Sequence, residues 1–299
     1  MNGQKPAARV LIVDGHALAY KMFHALPEMT SPAGAPTNAI FGFIKSLRRT
    51  LEELQPTHGV VVWDGGLSTE RLALLPEYKA QRAPMPDSLR SQLSPLQQWV
   101  CLAGWECIRQ DATEADDIIG TLALEAERSG AEVLILSPDK DFMQIVSERV
   151  HLLRARGGGL ERYTPGLVRE KIGVAPEQIV DWLSLVGDAS DHIEGVPGVG
   201  AKTAAKLLEE FGSLSALFER VECVQPERLR KLLETHKALL ERNRELITLT
   251  RLPQWELSLE RLVFRQTDRA AEEKFLGDWG LKSLQHKQQD PLFKQAELF

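Results

Sequence analysis

Carboxylates follow three of the most apolar runs in this 299-residue sequence. Asp14 ends "VLIVD", Asp64 ends "VVVWD", and "EVLIL" leads to Asp139 and Asp141. One acidic residue after a strand means little, because Asp is common in turns. Three such strand ends in one chain predict a shared acidic site.

Two further segments add acids of the same kind. They contribute Glu114, Asp116, Asp117, Asp188 and Asp191. Nine converging carboxylates would repel one another and raise each other's pKa values. Hard divalent cations relieve that conflict, and all-oxygen ligands favour Mg²⁺ or Mn²⁺. The set therefore predicts two bound ions that activate water and stabilise the leaving oxygen of a phosphodiester.

The first of these segments, "DATEADDIIG", has the pattern of a helix start. Thr113 is the expected N-cap, and Asp116 takes the place of the usual Glu or Gln of a capping box. Acidic residues in a first helical turn also suit the helix dipole. That structural explanation accounts for one or two of the three acids more easily than for all of them.

A proline-containing segment at about residues 70–95 carries basic and aromatic side chains. We expect a mobile, partly helical arch over the acidic site rather than part of the core. Lys79 and Arg82 are candidates to neutralise the phosphate in the transition state. Tyr78, next to them, is a candidate to stack on a base. Arg71 is a further candidate DNA contact.

The elements that must position these residues alternate between strands and helices. The apolar runs predict buried strands, and Asn38–Leu54 and Pro86–Ala103 have helical period. This order predicts an α/β fold, a mostly parallel central sheet with helices on both faces, and ligands at the carboxyl ends of the strands. After about residue 176 helices dominate. We therefore expect a catalytic domain over 1–176, a helical DNA-binding region over 177–288 and a flexible tail over 289–299.

The stretch "EGVPGVGAKTAAKLLEEFG" resembles a phosphate-binding P-loop at first sight. A P-loop needs Lys directly after its second glycine and a strand before its first, but Ala201 separates Gly200 from Lys202 and a helix is expected upstream. Helix, glycine loop and helix instead form the pattern of a helix-hairpin-helix, which approaches a phosphate through main-chain N–H groups. The candidate DNA contacts there are Gly195, Gly198, Gly200, Lys202 and Lys206.

Composition sets limits on the remaining possibilities. The apolar fraction of 43% and the charged fraction of 26% are ordinary for a globular protein. We expect no membrane partner, because no apolar run approaches the roughly 20 residues of a membrane span. The N-terminus lacks a signal peptide, and three cysteines without CxxC spacing fit the reduced cytoplasm. A net charge of −6 argues against a uniformly basic DNA-binding surface, but metal ions at the acidic site would offset part of it.

Seven motifs in order resemble a known family: "LIVDG", "FHALP", "PTNAIFGF", "EYKAQRAPMPD", "EADDIIGTLA", "PDKDFMQIV" and "GDASDHIEGVPGVGAKTA". Together, over about residues 10–249, they resemble the 5′-3′ exonuclease domain of bacterial DNA polymerase I, within the wider flap endonuclease family. The resemblance implies a PIN-like fold and a two-metal nuclease acting on 5′ flaps, nicks or ends. It also implies that the nine acids are the metal ligands and that Lys79 and Arg82 are catalytic.

The resemblance extends to finer features. It implies a K⁺ ion held by hairpin carbonyls around Gly195–Gly200. Lys21 stands where the family usually has an arginine that contacts phosphate, and the two cations are not equivalent. Other departures, at Glu70, Pro138, His192 and Glu194, remove no expected ligand.

Two alternatives stay open beside this reading. One is a non-catalytic protein of the same fold that binds branched DNA, and the other is a nuclease directed mainly at RNA. No polymerase region follows the nuclease motifs, so we expect a stand-alone, monomeric nuclease. Gln295, Leu298 and Phe299 in the last residues, "QAELF", resemble a peptide that docks on the bacterial sliding clamp.

Overall fold

A six-stranded sheet forms the centre of the protein in a computed structural model that describes residues 8–156, 159–255 and 258–285. In chain order its strands are β1 (Arg9–Asp14), β2 (His58–Trp63), β3 (Glu106–Arg109), β4 (Glu132–Leu136), β5 (Val150–Arg156) and β6 (Gly159–Tyr163). The spatial order is β3-β2-β1-β4-β5-β6. Five strands are parallel, and only β6 runs antiparallel, beside β5. The predicted mostly parallel α/β sheet is confirmed.

Helices fill the connections and most of the C-terminal half. They are α1 (Gly15–Ala25), α2 (Asn38–Leu54), α3 (Thr69–Leu74), α4 (Asp87–Leu102), α5 (Ala115–Arg128), α6 (Pro165–Ile172), α7 (Ile179–Val186), α8 (Ala201–Phe211), α9 (Leu214–Glu219), α10 (Glu227–Thr235), α11 (Lys237–Ile247) and α12 (Arg269–Asp278). A two-stranded ribbon, β7 (Gly187–Asp188) and β8 (Ile193–Glu194), lies between α7 and α8. Within the described ranges no helix is long and apolar enough to cross a membrane.

The central strands are buried on both faces, which is why they read as continuous apolar runs. Leu11 and Val13 pack with α1, α2, α4 and α12 on one face. Val10 and Ile12 pack with α5 on the other face, in the same cluster as Leu208 of α8. The helical region therefore shares a hydrophobic core with the sheet.

The segment after α11 departs from the prediction of a helical DNA-binding region over 177–288. It returns along the catalytic part of the molecule, where the main-chain N–H of Thr250 donates to Asp117 of α5. Further on, Phe264 contacts Trp105 edge to face, with 4.9 Å between ring centroids. Residues 248–255 and 258–285 thus pack against the sheet and its helices, and their apolar side chains belong to the same core clusters.

The predicted arch at 70–95 is also more closely packed than expected. Its ends are helices α3 and α4, and Leu89 and Gln92 of α4 are fully buried. Tyr78 and Lys79, between the two helices, are buried as well. The prediction that this segment stands outside the core was wrong for these residues. The predicted tail contacts Gln295, Leu298 and Phe299 lie outside the described residues.

Candidate metal centre and nucleic-acid cleft

The carboxyl ends of neighbouring strands bring the first acids together. Asp14 ends β1, Asp64 follows β2, and Asp139 lies just beyond β4. Asp116 joins them from the first turn of α5. All four line one cavity of about 870 Å³. The predicted shared site at this edge of the sheet therefore has a physical basis in the parallel topology.

Asp14 is the most deeply held member of this group. Its Oδ1 accepts from the main chain of Ala17 at 3.0 Å, which caps α1. Its Oδ2 accepts from the Ser137 hydroxyl at 3.0 Å. Burial raises the pKa of Asp14 to about 6, although the two hydrogen bonds oppose that rise. Hydrogen bonds therefore fix the Asp14 carboxylate in place, while burial disfavours its ionised form unless a cation lies nearby.

A second acidic group, Asp141, Asp188 and Asp191, lies beside the first. The three side chains offer oxygens that are all within 4.8 Å of one another. Asp141 starts a short 3₁₀ helix, Asp188 is the last residue of β7, and Asp191 lies in the turn between β7 and β8. Burial raises the pKa of Asp139, and so do the nearby charges of Asp191 and Asp188. Asp139 therefore connects the two acidic groups electrostatically.

Asp141 gives direct evidence that this group suits a cation. Its Oδ1 is buried and has no hydrogen-bond partner within the described part of the chain. Burial and then Asp139 raise the pKa of Asp141 well above its ordinary value. A buried acceptor without a donor is costly. A metal ion bound between Asp141, Asp188 and Asp191 would satisfy it.

Two basic side chains enter the acidic groups from the predicted arch. Lys79 Nζ lies 2.5 Å from Glu114 Oε2 and 3.6 Å from Asp191 Oδ2. Arg82 Nη2 lies 2.5 Å from Asp191 Oδ1. Burial alone would lower the pKa of Lys79, but Asp116, Asp191 and Glu114 outweigh it and the pKa is raised. Both cations thus stay charged beside the carboxylates.

The structure places two of the nine predicted acids behind the cleft. Glu114 accepts from the Ser68 main chain, Arg71, Tyr78 and Lys79, so that both of its oxygens are engaged. Asp117 accepts from Arg71 with both oxygens and from the main chain of Thr250. Neither carboxylate lines the cavity that Asp14 and Asp116 share. Of the other seven acids, four line this cavity, and Asp141, Asp188 and Asp191 form the second group beside it.

Three other sequence-based expectations need correction. Arg71 and Tyr78 were expected to contact DNA, but their exposed fractions are only 5% and 3%. Tyr78 donates to Glu114 and Asp191 instead of presenting its ring to a base. Thr113 does not cap α5. Its hydroxyl donates to the carbonyl of Asp111, and Glu114 occupies the N-cap position without a side-chain cap.

The glycine hairpin at 195–200 lies between the ribbon and α8. The Val199 N–H donates to the Val196 carbonyl at 2.9 Å across Pro197 and Gly198, and Gly198 has φ +82°. Pro followed by a positive-φ glycine is the sequence of a type II turn. Gly200 is the N-cap of α8. These exposed main-chain groups suit a phosphate at a helix N-terminus.

The candidate contacts within the hairpin differ from one another. A side chain at Gly195 would collide with the main chain of Val186, so packing explains that glycine. The space beside Gly198 and Gly200 is open. Lys202 and Lys206 are exposed one turn apart on α8. The surface that faces a ligand therefore begins at Gly198.

Several cavity residues were missed from the sequence. They are His16, Tyr20, His24, Arg109 and Lys140, and they line the cavity beside the predicted Lys21. His16, Tyr20 and His24 repeat at a spacing of four along the helix that Asp14 caps, which is a signal that could have placed them on one face. Lys140 lies 3.2 Å from Asp188. Basic and aromatic side chains thus line the same cavity as the acids, a combination that suits binding of a polynucleotide.

Comparison with known proteins agrees with this arrangement. A family model described as the 5′-3′ exonuclease N-terminal resolvase-like domain matches residues 9–173, and one described as the 5′-3′ exonuclease C-terminal SAM fold matches residues 174–270. The chain is 40% identical to DNA polymerase I of Thermus thermophilus over 284 residues, 95% of this chain and 33% of that protein. It is 37% identical to DNA polymerase I of Bacillus caldotenax over 285 residues, 95% of this chain and 32% of that one.

A solved structure shows the same fold. The bacteriophage T5 flap endonuclease, in a pseudo-enzyme–product complex with DNA and metal ions, superimposes with a TM-score of 0.68 at 21% identity, covering 97% of this chain and 99% of that one. The chain spans about a third of the length of the two polymerases. The predicted nuclease family and its PIN-like fold are confirmed: the chain belongs to the 5′-3′ exonuclease family.

Proposed function

We propose that the protein is a metal-dependent, structure-specific 5′ nuclease that hydrolyses phosphodiesters at 5′ flaps, nicks or ends of DNA. The observation that carries the proposal is that four carboxylates from separate elements line one cavity with Lys79 and Arg82, and that a second group of three, which includes the Asp191 partner of both cations, lies beside it. Family membership and the DNA and metal ions in the related phage structure support it.

Two metal ions fit the two acidic groups. Asp14, Asp64, Asp116 and Asp139 would hold one, and Asp141, Asp188 and Asp191 the other, with Asp139 between them. Oxygen ligands throughout favour Mg²⁺ or Mn²⁺ over zinc. When bound, such ions lower the pKa of water and stabilise charge on phosphate oxygens. The unpartnered Oδ1 of Asp141 supports the fit.

The cations from the arch have two tasks in this scheme. In the structure Lys79 and Arg82 offset part of the acidic charge, through contacts with Glu114 and Asp191. With divalent ions present, that charge is compensated. Lys79 and Arg82 can then turn toward the phosphate of the scissile bond, where positive charge stabilises the transition state. Arg82, which is about half exposed, needs the smaller movement.

Duplex DNA is the proposed ligand of the hairpin. The exposed main chain at Gly198 and Gly200 and the side chains of Lys202 and Lys206 would contact one strand without reading its sequence. Structure-directed rather than sequence-directed cleavage follows from such backbone contacts. A K⁺ ion at the hairpin carbonyls is a proposal from the family resemblance.

Other partners remain proposals as well. The tail "QAELF", with Gln295, Leu298 and Phe299, is proposed to dock on the sliding clamp. Deletion of residues 295–299 should then weaken clamp binding without changing cleavage of a free flap. A monomeric state and a cytoplasmic location stay predictions from the sequence.

A cleavage assay tests the main proposal. The protein is incubated with a 5′-labelled flap, a nicked duplex and an RNA–DNA hybrid, each with Mg²⁺ and with a chelator. We expect Mg²⁺-dependent cleavage of the flap and the nicked duplex. Binding of the flap without cleavage in any condition would favour the non-catalytic alternative, and preferential cleavage of the hybrid would favour a nuclease directed at RNA.

A further inference from the structure

Arg71 occupies an unusual position for an arginine in a nucleic-acid enzyme. Its side chain is 6% exposed, and all five of its N–H groups meet acceptors. Nε donates to the Leu246 carbonyl at 3.0 Å, and Nη2 donates to the Thr248 carbonyl at 3.1 Å. Nη1 and Nη2 form a two-pronged contact with Asp117, at 2.7 and 2.8 Å. No N–H group is left for a DNA phosphate.

The fifth contact leads toward the proposed catalytic centre. Arg71 Nη1 donates to Glu114 Oε1 at 3.0 Å. The other oxygen of Glu114 accepts from Lys79 Nζ at 2.5 Å and from the Tyr78 hydroxyl at 3.2 Å. The carboxylate of Glu114 therefore stands between a buried arginine and the cation proposed to contact the scissile phosphate.

Helix α11 connects the same contacts to the hairpin. Leu246 lies in its last turn and Thr248 just beyond it, where each carbonyl accepts from Arg71. One turn earlier, the fully buried Asn243 donates to the carbonyls of Ser184 and Glu194, at 3.1 and 2.7 Å. Glu194 directly precedes the glycine hairpin. One short helix thus holds the hairpin at one point and Arg71 at another.

We infer that Arg71 is a positioning residue, which fixes Glu114, and through it Lys79, against helix α11. The inference rests on the proposed nuclease function and assigns Arg71 a task other than DNA contact. Its planar guanidinium is the reason that arginine is required. Lysine keeps the charge but has three donors on a single nitrogen, so it cannot pair with both oxygens of Asp117 and also reach Glu114 and two carbonyls.

The Arg71→Lys substitution separates positioning from DNA contact. We expect kcat on a 5′ flap with Mg²⁺ to fall on the order of 100-fold, because a displaced catalytic group costs about that much. The Kd for the flap, measured with chelator, should stay within about twofold, since Arg71 is buried away from DNA. Arg128→Lys on the exposed end of α5 is the matched control and should change neither quantity.

Two results would overturn the inference. One is a weaker Kd and a higher KM with kcat unchanged, which is the pattern of a lost phosphate contact. The other is wild-type kcat in Arg71→Lys, which would show that the five contacts do not position the catalytic group.

A stability measurement tests the contact itself, without any catalytic readout. The urea midpoints of Arg71→Lys, Glu114→Gln and the double variant are compared with that of the wild type. If the two side chains act as a unit, the double variant should unfold at nearly the same midpoint as the less stable single variant. Simple addition of the two shifts would contradict the coupling. Should the wild type cleave no substrate, the proposed function fails while this cycle still decides the role of Arg71.

Discussion

The acidic cleft and the glycine hairpin use opposite means to prepare for the same phosphodiester backbone. The cleft is made of closely spaced carboxylates, and burial together with neighbouring charges raises the pKa values of Asp14, Asp139 and Asp141 among them. The hairpin is made of exposed main-chain groups in a turn that Pro197 and Gly198 set locally. The acidic site needs the tertiary fold, because its carboxylates come from distant parts of the sequence. A main-chain phosphate site needs only a short stretch of sequence.

The largest effect on activity is expected at Asp139, which lies between the two acidic groups of the cleft. Asp139→Ala should reduce kcat at least about 1,000-fold, because it removes a ligand of one proposed metal ion and a charge close to the second acidic group. Flap binding without metal should change much less. Asp278→Ala, at the exposed end of α12, is the control that should keep full activity. Retention of a tenth of the wild-type kcat by Asp139→Ala would contradict the metal-centre assignment.

The change in the free energy of unfolding with pH tests the acidic cleft separately from the hairpin. The pKa of Asp14 is raised from 3.8 to about 6, so between these values the folded protein binds a proton more strongly than the unfolded chain does. In chelator this carboxylate therefore makes the protein less stable as pH rises from about 4 to 6. Mg²⁺ would offset the ionised charge and remove that loss.

The measurement is the free energy of unfolding with Mg²⁺ minus that with chelator, from pH 4.5 to 7. Over this range the difference should grow with pH by about 2 kcal/mol, since each pKa unit corresponds to about 1.4 kcal/mol. A difference that does not depend on pH would mean that ionisation of the cleft is not what the metal compensates.

The hairpin should respond in binding rather than in chemistry. Lys202→Ala and Lys206→Ala should each raise KM about 3- to 10-fold at an unchanged kcat. Each should also reduce the salt slope of flap binding by about one, as loss of one phosphate contact does. Lys274→Ala, at an exposed position of α12, should leave both values unchanged. A fall in kcat without a change in KM would place these lysines in the chemical step instead.

The smallest effect is expected at Tyr78, where removal of the hydroxyl tests whether the side chain supports the acidic cleft or binds DNA. Tyr78→Phe keeps the ring but removes the donor to Glu114 and Asp191, which should lower the free energy of unfolding by about 1 kcal/mol. Flap affinity should not change, because the ring is buried. A large loss of affinity would restore the stacking role that the sequence suggested.

Much of the cleft could be predicted because its residues follow from topology. Parallel strands place their carboxyl ends at one edge, so Asp14, Asp64 and Asp139 could be expected to meet. The bounds of α2 and α8 were also predictable, since each has a strong helical period with a clear start and end. The identity of the family followed from the order of the motifs.

The errors fall on residues whose role depends on packing. Arg71 and Tyr78 lie in a polar, proline-containing segment, and nothing in that pattern shows that both side chains turn inward. The packing of residues 248–255 and 258–285 on the sheet was not predicted, for a similar reason. Their contacts with α5 and with Trp105, just before β3, are distant in sequence, and short-range periodicity carries no information about them.

The sequence by itself determined the strands, the acidic residue types, the hairpin turn and the family, because these depend on local pattern and chemistry. Only the tertiary structure decided which carboxylates face the cleft and which are neutralised behind it. That choice rests on burial: Arg71 is buried against both Glu114 and Asp117, and Lys79 is buried against Glu114, so each of these two carboxylates is paired with a cation from the protein itself. Asp14, Asp64, Asp116 and Asp139 instead line the cavity, and in the described part of the chain Asp141 Oδ1 is buried without a hydrogen-bond partner, so a metal ion can bind there.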